Sequence, residues 1–235
     1  ILEEEKPTHL LVAFDAGKTT FRHVLYPDYK GTREKTPGEL SEQIPLIQEC
    51  LDAFSIRYAE QPNIEADDII GTCARLAEKK HFETVIISGD KDLLQLVSDS
   101  TTVLLPRKGM SETDRYDQKA VLDRYGLRPE QIVDLKGLMG DPSDHIPGIP
   151  GVGEKTALKL LKQFPSVEEI LQHIDQLPGE KLKEKIRENQ EQALLSKELA
   201  TIKRDVSLDF SIDNCAYNGI RDIGKVVELF DRLEF

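Results

Sequence analysis

Acidic residues recur in this chain at four places where a secondary-structure element is predicted to begin or end. Two apolar, β-rich runs at residues 9–16 and 84–90 each finish in an aspartate, and a third group opens a helix at "IEADD". A fourth pair follows a predicted helix stop at Gly140. The carboxylates are Asp15, Glu65, Asp67, Asp68, Asp90, Asp92, Asp141 and Asp144.

Each acidic group also has a simple structural explanation, because aspartates form turns and cap helices, and acids in a first helical turn oppose the helix dipole. Taken together, eight carboxylates at one edge of a sheet would repel one another by several kcal/mol unless cations lay among them. Oxygen ligands without a histidine or cysteine cluster favour Mg²⁺ or Mn²⁺ over zinc. The set is large enough for two ions, which indicates two-metal hydrolysis of a phosphodiester.

The elements that must position these residues alternate between strands and helices. "EQIPLIQECLDAF" and "EADDIIGTCARLAEK" have the 3.6-residue period of helices. This order predicts a doubly wound, mostly parallel α/β sheet, in which a ligand site lies at the carboxyl ends of the strands. After about residue 145 the strand signal fades, and helices are predicted over 154–164, 166–174, 179–200 and 222–233.

A glycine hairpin, "IPGVGEKTA", follows the last acidic pair. Its spacing fits the helix-hairpin-helix pattern, in which Gly151 and Gly153 let the backbone approach a phosphate that the next helix N-terminus faces. Lys155 adds positive charge, so the motif would bind a nucleic-acid backbone without reading its sequence. A plain helix start is the alternative, and the apolar residues that follow are predicted to be core in either case: Ala157, Leu158, Leu161 and Phe164.

The formal net charge of −12 argues at first against a nucleic-acid binder, because such domains usually carry a positive field. Positive residues are nevertheless grouped in three stretches, at 18–35, 155–162 and 181–187. A solvated face is the simpler explanation of any such group, and we adopt it for the third.

Composition limits where the protein acts. No apolar run approaches the roughly 20 residues that span a bilayer, and the sequence shows no signal peptide, so we predict no membrane association. The three cysteines are far apart, and Cys50 and Cys73 lie in apolar helical patterns. This usage is typical of buried thiols in a reducing cytosol and predicts a cytoplasmic protein.

Four stretches closely resemble the 5′ nuclease domain of bacterial DNA polymerase I, a branch of the flap endonuclease family: "VAFDAGKTTFRHVLYPDYKGTR", "EADDIIG", "SGDKDLLQLV" and "KGLMGDPSDHIPGIPGVGEKTALKLL". The resemblance covers essentially the whole chain. It implies the PIN-like fold of that family, with a nuclease core at 1–145 and a helical DNA-binding region at 146–235. It also implies a structure-specific 5′ nuclease that cleaves 5′ flaps and RNA primers in replication and repair, with two or more Mg²⁺ or Mn²⁺ ions and K⁺ at the hairpin.

Carried over by position, the resemblance makes the eight carboxylates metal ligands. Lys30 and Arg33 correspond to residues that hold the scissile phosphate, with Arg22 as a companion. Residues 17–40 correspond to a basic arch over the single strand, where three aromatic side chains could stack bases or pack locally: Phe21, Tyr26 and Tyr29. The expected DNA contacts are Lys18, Tyr26, Gly151, Gly153, Lys155 and Thr156.

The partners implied by the resemblance are DNA with a 5′ flap or nick, an RNA primer, and a polymerase module covalently downstream, in a monomeric bacterial protein at the nucleoid. Two alternatives remain open. One is a free-standing 5′ nuclease, and the other is a catalytically silent DNA-binding module that keeps the hairpin.

The sequence departs from the family pattern in two ways. His145 stands where the family usually has asparagine, beside an expected ligand. The family's first strand, with its aspartate in an "Asp-Gly-Asn" turn, is absent from these residues. The resemblance therefore implies that residues 1–235 alone fold poorly and cleave flap DNA feebly, and that an upstream segment of about 50 to 60 residues restores both properties.

Overall fold

The computed structural model describes residues 2–17, 19–33, 37–107 and 112–235. Its strands are β1 (Leu11–Phe14), β2 (Arg57–Glu60), β3 (Thr84–Ile87), β4 (Thr101–Pro106) and β5 (Thr113–Tyr116). Its α-helices are α1 (Leu2–Glu5), α2 (Phe21–Leu25), α3 (Gly38–Ala53), α4 (Ala66–Lys79), α5 (Gln118–Tyr125), α6 (Ile132–Met139), α7 (Glu154–Leu161), α8 (Val167–Gln172), α9 (Glu180–Glu188), α10 (Gln190–Ala200) and α11 (Ile223–Leu233).

The described strands form two sheets. Strands β1 and β2 pair in parallel with Leu11 opposite Arg57, and β3 and β4 pair in parallel with Thr84 opposite Thr101. Strand β5 extends the second sheet in the antiparallel direction. Parallel strands need crossovers, which are supplied here by α2 and α3 in the first sheet and by the 3₁₀ helix Lys91–Leu96 in the second. The predicted alternation of strands and helices in this half of the chain is confirmed.

Helix α4 contacts β1, β2 and β3 and so joins the two sheets. Its apolar face is buried through Ile69, Ala74 and Ala77, as its 3.6-residue period predicts. The chain after α10 passes close to α4 at Gly71. A Cβ atom added to Gly71 would lie only 2.7 Å from Cγ2 of Ile202, so a larger side chain would fit only if Ile202 shifted. The start of α4, with Glu65 as its N-cap and Asp67 and Asp68 in its first turn, is therefore held close to both sheets and the helical region.

The second half of the chain is helical in the described residues, as predicted. Its core includes Leu138, Ala157 and Leu161, while Leu158 and Phe164 pack against that core from its edge. The helix predicted over 179–200 is two helices, because the chain bends at Asn189 between α9 and α10.

Helix α6 connects the helical region to the sheets. It packs closely on α10, where a Cβ built at Gly137 would lie 2.9 Å from Cβ of Lys197, and it also contacts the 3₁₀ helix Lys91–Leu96. The 3₁₀ helix carries Asp92, and Asp141 and Asp144 follow α6. This contact therefore brings two of the four acidic groups together.

Two findings bear on the predicted surroundings of the protein. No helix in the described ranges is long and apolar enough to cross a membrane. The three cysteines are free, with Cys215 buried and Cys50 and Cys73 half-buried. The prediction of buried thiols is therefore confirmed for Cys215 and only partly met for Cys50 and Cys73.

Candidate active site

The four acidic segments meet at the carboxyl ends of β1 and β3. Asp15 follows β1, and its Oδ1 accepts a hydrogen bond of 2.8 Å from the backbone N–H of Ala66 at the start of α4. Asp90 follows β3, and its Oδ1 accepts a hydrogen bond of 2.8 Å from the N–H of Asp92. Asp141 begins a tight loop closed by two backbone hydrogen bonds with Ile146, each of 2.8 Å. The strand-end rule therefore predicted where these residues gather.

The carboxylates lie close enough to influence one another. Burial, together with the negative charges of Asp90, Glu65 and Asp15, raises the pKa of Asp67 to about 7, although Lys30 opposes the rise. Such a shift marks a local excess of negative charge in a partly desolvated place. The same four residues come from three separate segments, so this charge excess is a product of the fold.

The other half of the acidic site opens onto a cavity of about 420 Å³. Asp90, Asp92, Asp141 and Asp144 line it together with Lys136. Burial raises the pKa of Asp92 to about 6, with Lys136 opposing the rise and the charges of Asp90 and Asp141 adding to it. Burial also opposes ionisation of Asp141, but Lys136 and Ser143 outweigh it and lower the pKa of that carboxyl.

Lys136 is a member of the site that sequence reasoning missed. Its Nζ lies 2.8 Å from Oδ1 of Asp92 and also contacts Oδ2 of Asp141, so one ammonium bridges two acidic segments. A lysine in the mostly apolar stretch "IVDLKGLM", five residues before Asp141, was the available signal.

Lys30 and Arg33 lie at the acidic site, where the resemblance predicts them. Nζ of Lys30 lies 3.1 Å from Oε2 of Glu65 and 3.9 Å from Oδ2 of Asp144. Arg33 forms an ion pair with Asp144, and its side chain remains about half exposed. The backbone N–H of Lys30 also donates to the carbonyl of Asp144 at 2.8 Å, which fixes this turn against the acidic loop.

Tyr29 and His145 complete that contact. The Tyr29 hydroxyl is within 3.2 Å of both Glu65 and Asp144, and burial followed by those two charges raises the pKa of Tyr29, which keeps the hydroxyl a donor. His145 contacts the carbonyl of Asp28 through Nδ1 at 2.9 Å. Because Tyr29 is only 3% exposed, the local-packing alternative holds for it and the base-stacking alternative does not. Phe21 and Tyr26 are half-buried, and their contact with DNA stays a prediction.

Arg22 also lies beside the acidic site, with Nη1 3.4 Å from Oε2 of Glu65, but it is buried there. It is 2% exposed, and its Nη1 and Nη2 each donate to Asp68 at 2.8 Å. Its Nε donates to the carbonyl of Leu199, and its Nη2 also donates to that of Thr201, again at 2.8 Å. With its donors engaged inside the protein, Arg22 has a buried structural role and not the predicted contact with a phosphate.

The prediction for Asp68 is also corrected, because Asp68 is buried and pairs with groups inside the protein. Its side chain has no exposed surface, and besides Arg22 it accepts hydrogen bonds from the backbone N–H of Lys203 at 2.8 Å and of Glu65 at 3.2 Å. These partners occupy the lone pairs of both carboxylate oxygens. The prediction of Asp68 as a metal ligand is therefore not supported, while seven carboxylates remain available.

The remaining donor set fits a hard divalent cation. Within the residues that the structure describes, no three Asp, Glu, His or Cys side chains already surround one common point. Lys30, Arg33 and Lys136 explain this, because each takes carboxylate oxygens that would otherwise be free. Two half-buried carboxylates with raised pKa values, Asp67 and Asp92, are the kind of group that a bound divalent cation stabilises.

The hairpin has the backbone that its glycines predict. Gly151 has φ +76°, a conformation that favours glycine, and a Cβ built there would collide with the Lys185 ammonium of α9. Gly153 is the N-cap of α7, and a Cβ built there meets nothing within 4 Å, so the helix start faces open space. Lys155 is exposed and Thr156 is half-buried.

The basic residues predicted from the sequence are placed as follows. The 181–187 group is a solvated face, as interpreted, since Lys181, Lys185 and Arg187 are exposed, and the Lys185 ammonium also lies close to Gly151. Lys18 and part of the predicted arch, residues 34–36, lie outside the described residues. Within the described arch residues, 17, 19–33 and 37–40, Arg22, Tyr29 and Lys30 pack against the acidic site.

Known proteins share this fold. T5 5′-exonuclease with bound divalent metal ions (zinc) superposes with a TM-score of 0.71 over 99% of this chain and 86% of that chain, at 24% identity. The catalytic core of Rad2 in complex with DNA substrate superposes with a TM-score of 0.59 over 94% of this chain and 73% of that chain, at 17% identity. The predicted fold class is confirmed.

Sequence relatives are more similar. DNA polymerase I of Bacillus subtilis (strain 168) is 57% identical over 235 residues, and that of Streptococcus pneumoniae (strain ATCC BAA-255 / R6) is 46% identical. Both alignments cover all of this chain and 27% of the relative, so the chain spans about a quarter of the length of these relatives.

Two family models together match most of the chain. The model for the 5′-3′ exonuclease C-terminal SAM fold matches residues 127–222. The model for the 5′-3′ exonuclease N-terminal resolvase-like domain matches residues 1–126, which is more than half of the chain and contains five of the seven available carboxylates. The resemblance seen in the sequence is thereby confirmed, and the chain belongs to the 5′-3′ exonuclease family.

Proposed function

We propose that this chain is a structure-specific 5′ nuclease domain that hydrolyses phosphodiesters at 5′ flaps, nicks and RNA primers. The observation that carries the proposal is the convergence of carboxylates from four segments with Lys30, Arg33 and Lys136 at one site, half of which lines a cavity. Metal-bound T5 5′-exonuclease and DNA-bound Rad2 have the same fold, which supports divalent metal and DNA as ligands here. The similarity to DNA polymerase I supports a role in replication and repair beside a polymerase module.

Two or more Mg²⁺ or Mn²⁺ ions would be held by the seven carboxylates other than Asp68: Asp15, Glu65, Asp67, Asp90, Asp92, Asp141 and Asp144. When bound, such ions neutralise phosphate charge and make water a stronger nucleophile. The ions and the basic side chains compete for the same carboxylate oxygens. We therefore expect metal binding to release at least part of the Lys30, Arg33 and Lys136 contacts.

The released basic groups act on the substrate. Lys30 and Arg33 lie on one turn beside Asp144, and Arg33 is exposed enough to turn toward a phosphate in the cavity. Negative charge that builds on the phosphoryl oxygens in the transition state is stabilised by cations held close to it. These two residues would therefore favour the transition state more than the bound substrate.

The helical region would hold the duplex on which the cleaved strand ends. Gly151, Gly153, Lys155 and Thr156 offer backbone N–H groups and positive charge at the start of α7, with K⁺ as an additional cation at the hairpin. Lys185 joins them, because its ammonium lies against Gly151. Contacts of this kind bind phosphates without reading bases, which suits an enzyme that recognises structure. Lys18 and Tyr26 remain predicted contacts, as does the domain division at residue 145.

A labelled 5′ flap tests the proposal directly. The protein that contains this chain should cleave near the junction of single strand and duplex in the presence of Mg²⁺, and EDTA should abolish cleavage while binding of the flap persists. A duplex without a flap or nick, and a 3′ flap, serve as substrate controls. Binding without cleavage at any Mg²⁺ or Mn²⁺ concentration would favour the catalytically silent DNA-binding module instead.

A further inference from the structure

The end of α10 and the residues after it, 199–203, pass between the two segments that carry most of the acidic residues. On one side this 199–203 segment meets the first turn of α4, which contains Asp67 and Asp68. On the other side it meets the 3₁₀ helix Lys91–Leu96, which contains Asp92. The segment is therefore in contact with both halves of the acidic site.

Arg22 and Asp68 hold the segment on the α4 side. The Arg22 guanidinium donates to two of its carbonyls, of Leu199 and Thr201, and Asp68 accepts from the N–H of Lys203, all at 2.8 Å. Asp68 also accepts from the N–H of Glu65 at 3.2 Å, so the same carboxylate fixes a neighbour whose side chain faces Lys30. A bidentate arginine–carboxylate pair allows little rotation of either group.

Gln95 holds the segment on the other side. Its Nε2 donates to the carbonyl of Ala200 at 3.0 Å, and its Oε1 accepts from the N–H of Ile202 at 2.9 Å. The Gln95 amide thus both donates to the segment and accepts from it. Because Gln95 lies three residues after Asp92, these bonds connect the 3₁₀ helix that carries Asp92 to the segment. Both of these contacts are with backbone atoms of the segment and not with a carboxylate of the site, so the effect of Gln95 on the acidic residues is geometric.

We infer that Arg22, Asp68 and Gln95 are positioning residues. Their hydrogen bonds to the 199–203 segment hold the two halves of the acidic site at a set spacing, and Asp68 is not a metal ligand. The inference rests on the proposed metal-dependent function. Residues that orient metal ligands from behind typically change metal affinity by about 10- to 100-fold when they are removed. A contact that only stabilises the fold lowers the melting temperature without that change.

Mn²⁺ binding to the folded protein, measured by EPR without DNA, separates the two roles. The variants are Arg22→Met, Gln95→Met and Asp68→Asn, each checked by circular dichroism well below its melting temperature. Thr72→Val is the matched control, because the Thr72 hydroxyl accepts from the N–H of Val206 at 3.2 Å and so joins the same helix to the same stretch of chain, away from the acids. Asp90→Asn serves as a reference for the loss of an expected ligand.

Arg22→Met and Gln95→Met should weaken Mn²⁺ binding about 10-fold or more, while Thr72→Val lowers only the melting temperature. Asp68→Asn should retain the wild-type number of Mn²⁺ ions, unlike Asp90→Asn. The melting-temperature losses of Arg22→Met and Asp68→Asn should not add in the double variant, because each removes the same pair.

Two results would overturn the inference. The first is a folded Gln95→Met protein whose Mn²⁺ affinity equals that of the Thr72→Val control. The second is an Asp68→Asn protein that binds fewer Mn²⁺ ions than wild type, as Asp90→Asn is expected to do. Gln95→Met keeps the test decisive if Arg22→Met fails to fold. If the wild-type protein itself binds no Mn²⁺, the proposed function fails, and the positioning role fails with it.

Discussion

The acidic site and the hairpin treat charge in opposite ways. In the acidic site, basic side chains pair with carboxylates of the same protein, as Lys30 does with Glu65 and Lys136 with Asp92. At the hairpin, no ion pair of Lys155 or Lys185 is found within the described ranges of the chain, and Gly153 faces open space. The acidic site is partly neutralised by basic residues of the same protein, and the hairpin presents its charge to solvent.

The contrast leads to different expectations for the two regions. Under the proposed function, the hairpin would bind a phosphate backbone without rearrangement, because Gly153 already faces open space. The acidic site would exchange internal ion pairs for bound cations, which would couple ligand binding to stability. Changes in the acidic site should therefore alter chemistry and stability together, whereas changes at the hairpin should alter binding alone.

The largest effect is expected at the cavity. Asp90→Asn should lower kcat on a 5′ flap by about 10³-fold or more, because it removes a carboxylate from a site whose chemistry depends on bound cations. Flap binding in Ca²⁺ should stay within a few-fold of wild type. Single-turnover kinetics and a binding titration measure the two quantities. Cleavage at the wild-type rate would show that Asp90 has no part in the chemistry.

A smaller effect on chemistry is expected at the turn beside Asp144. Lys30→Ala and Arg33→Ala should each lower kcat by about 10²- to 10³-fold with little change in KM, as for other groups that stabilise transition-state charge. Arg107→Ala is a suitable control, since Arg107 is exposed and pairs with Asp114 on the β4–β5 hairpin. A rise in KM with unchanged kcat would make these residues steering groups for DNA.

Lys136 tests the coupling of ligand and stability. Lys136→Met should lower the free energy of unfolding without metal by about 1–3 kcal/mol, because it leaves Asp92 and Asp141 without their shared cation. Saturating Mg²⁺ should recover much of that loss by supplying the missing charge. Chemical denaturation with EDTA and with Mg²⁺ measures both values. Equal losses under the two conditions would argue against exchange of Lys136 for a cation.

The hairpin should respond in binding alone. Lys155→Ala and Lys185→Ala should each reduce the slope of log affinity against log salt by about one unit on duplex DNA, with kcat at saturating DNA unchanged. Lys183→Ala is the matched control on the same helix, because Lys183 already pairs with Glu180 at 2.9 Å. If Lys185→Ala and Lys183→Ala behave alike, the hairpin draws its charge from α7 only.

Much of the fold and the position of the site followed from the sequence because they depend on local rules. Strand and helix periods predicted the alternating elements, and the strand-end rule predicted that Asp15 and Asp90 meet at one edge. The glycine spacing predicted the hairpin, where Gly151 has the positive φ that glycine accommodates. These features need only neighbouring residues and the handedness of parallel crossovers.

The tertiary structure decided which acidic side chain pairs with which basic side chain. Arg22 pairs with Asp68 across 46 residues of chain and contacts Leu199 across 177. No local pattern reports such separations, and an arginine beside an acidic motif looks the same whether it is buried or exposed. The partners of Lys136 and Tyr29 were likewise decided by the tertiary structure. A buried polar group can pair only with the groups that the fold brings beside it. The gathering of the acids was predictable from the amino-acid sequence, because strand and helix ends carry them, whereas the three-dimensional packing determined which acids pair with basic residues and which remain free to bind.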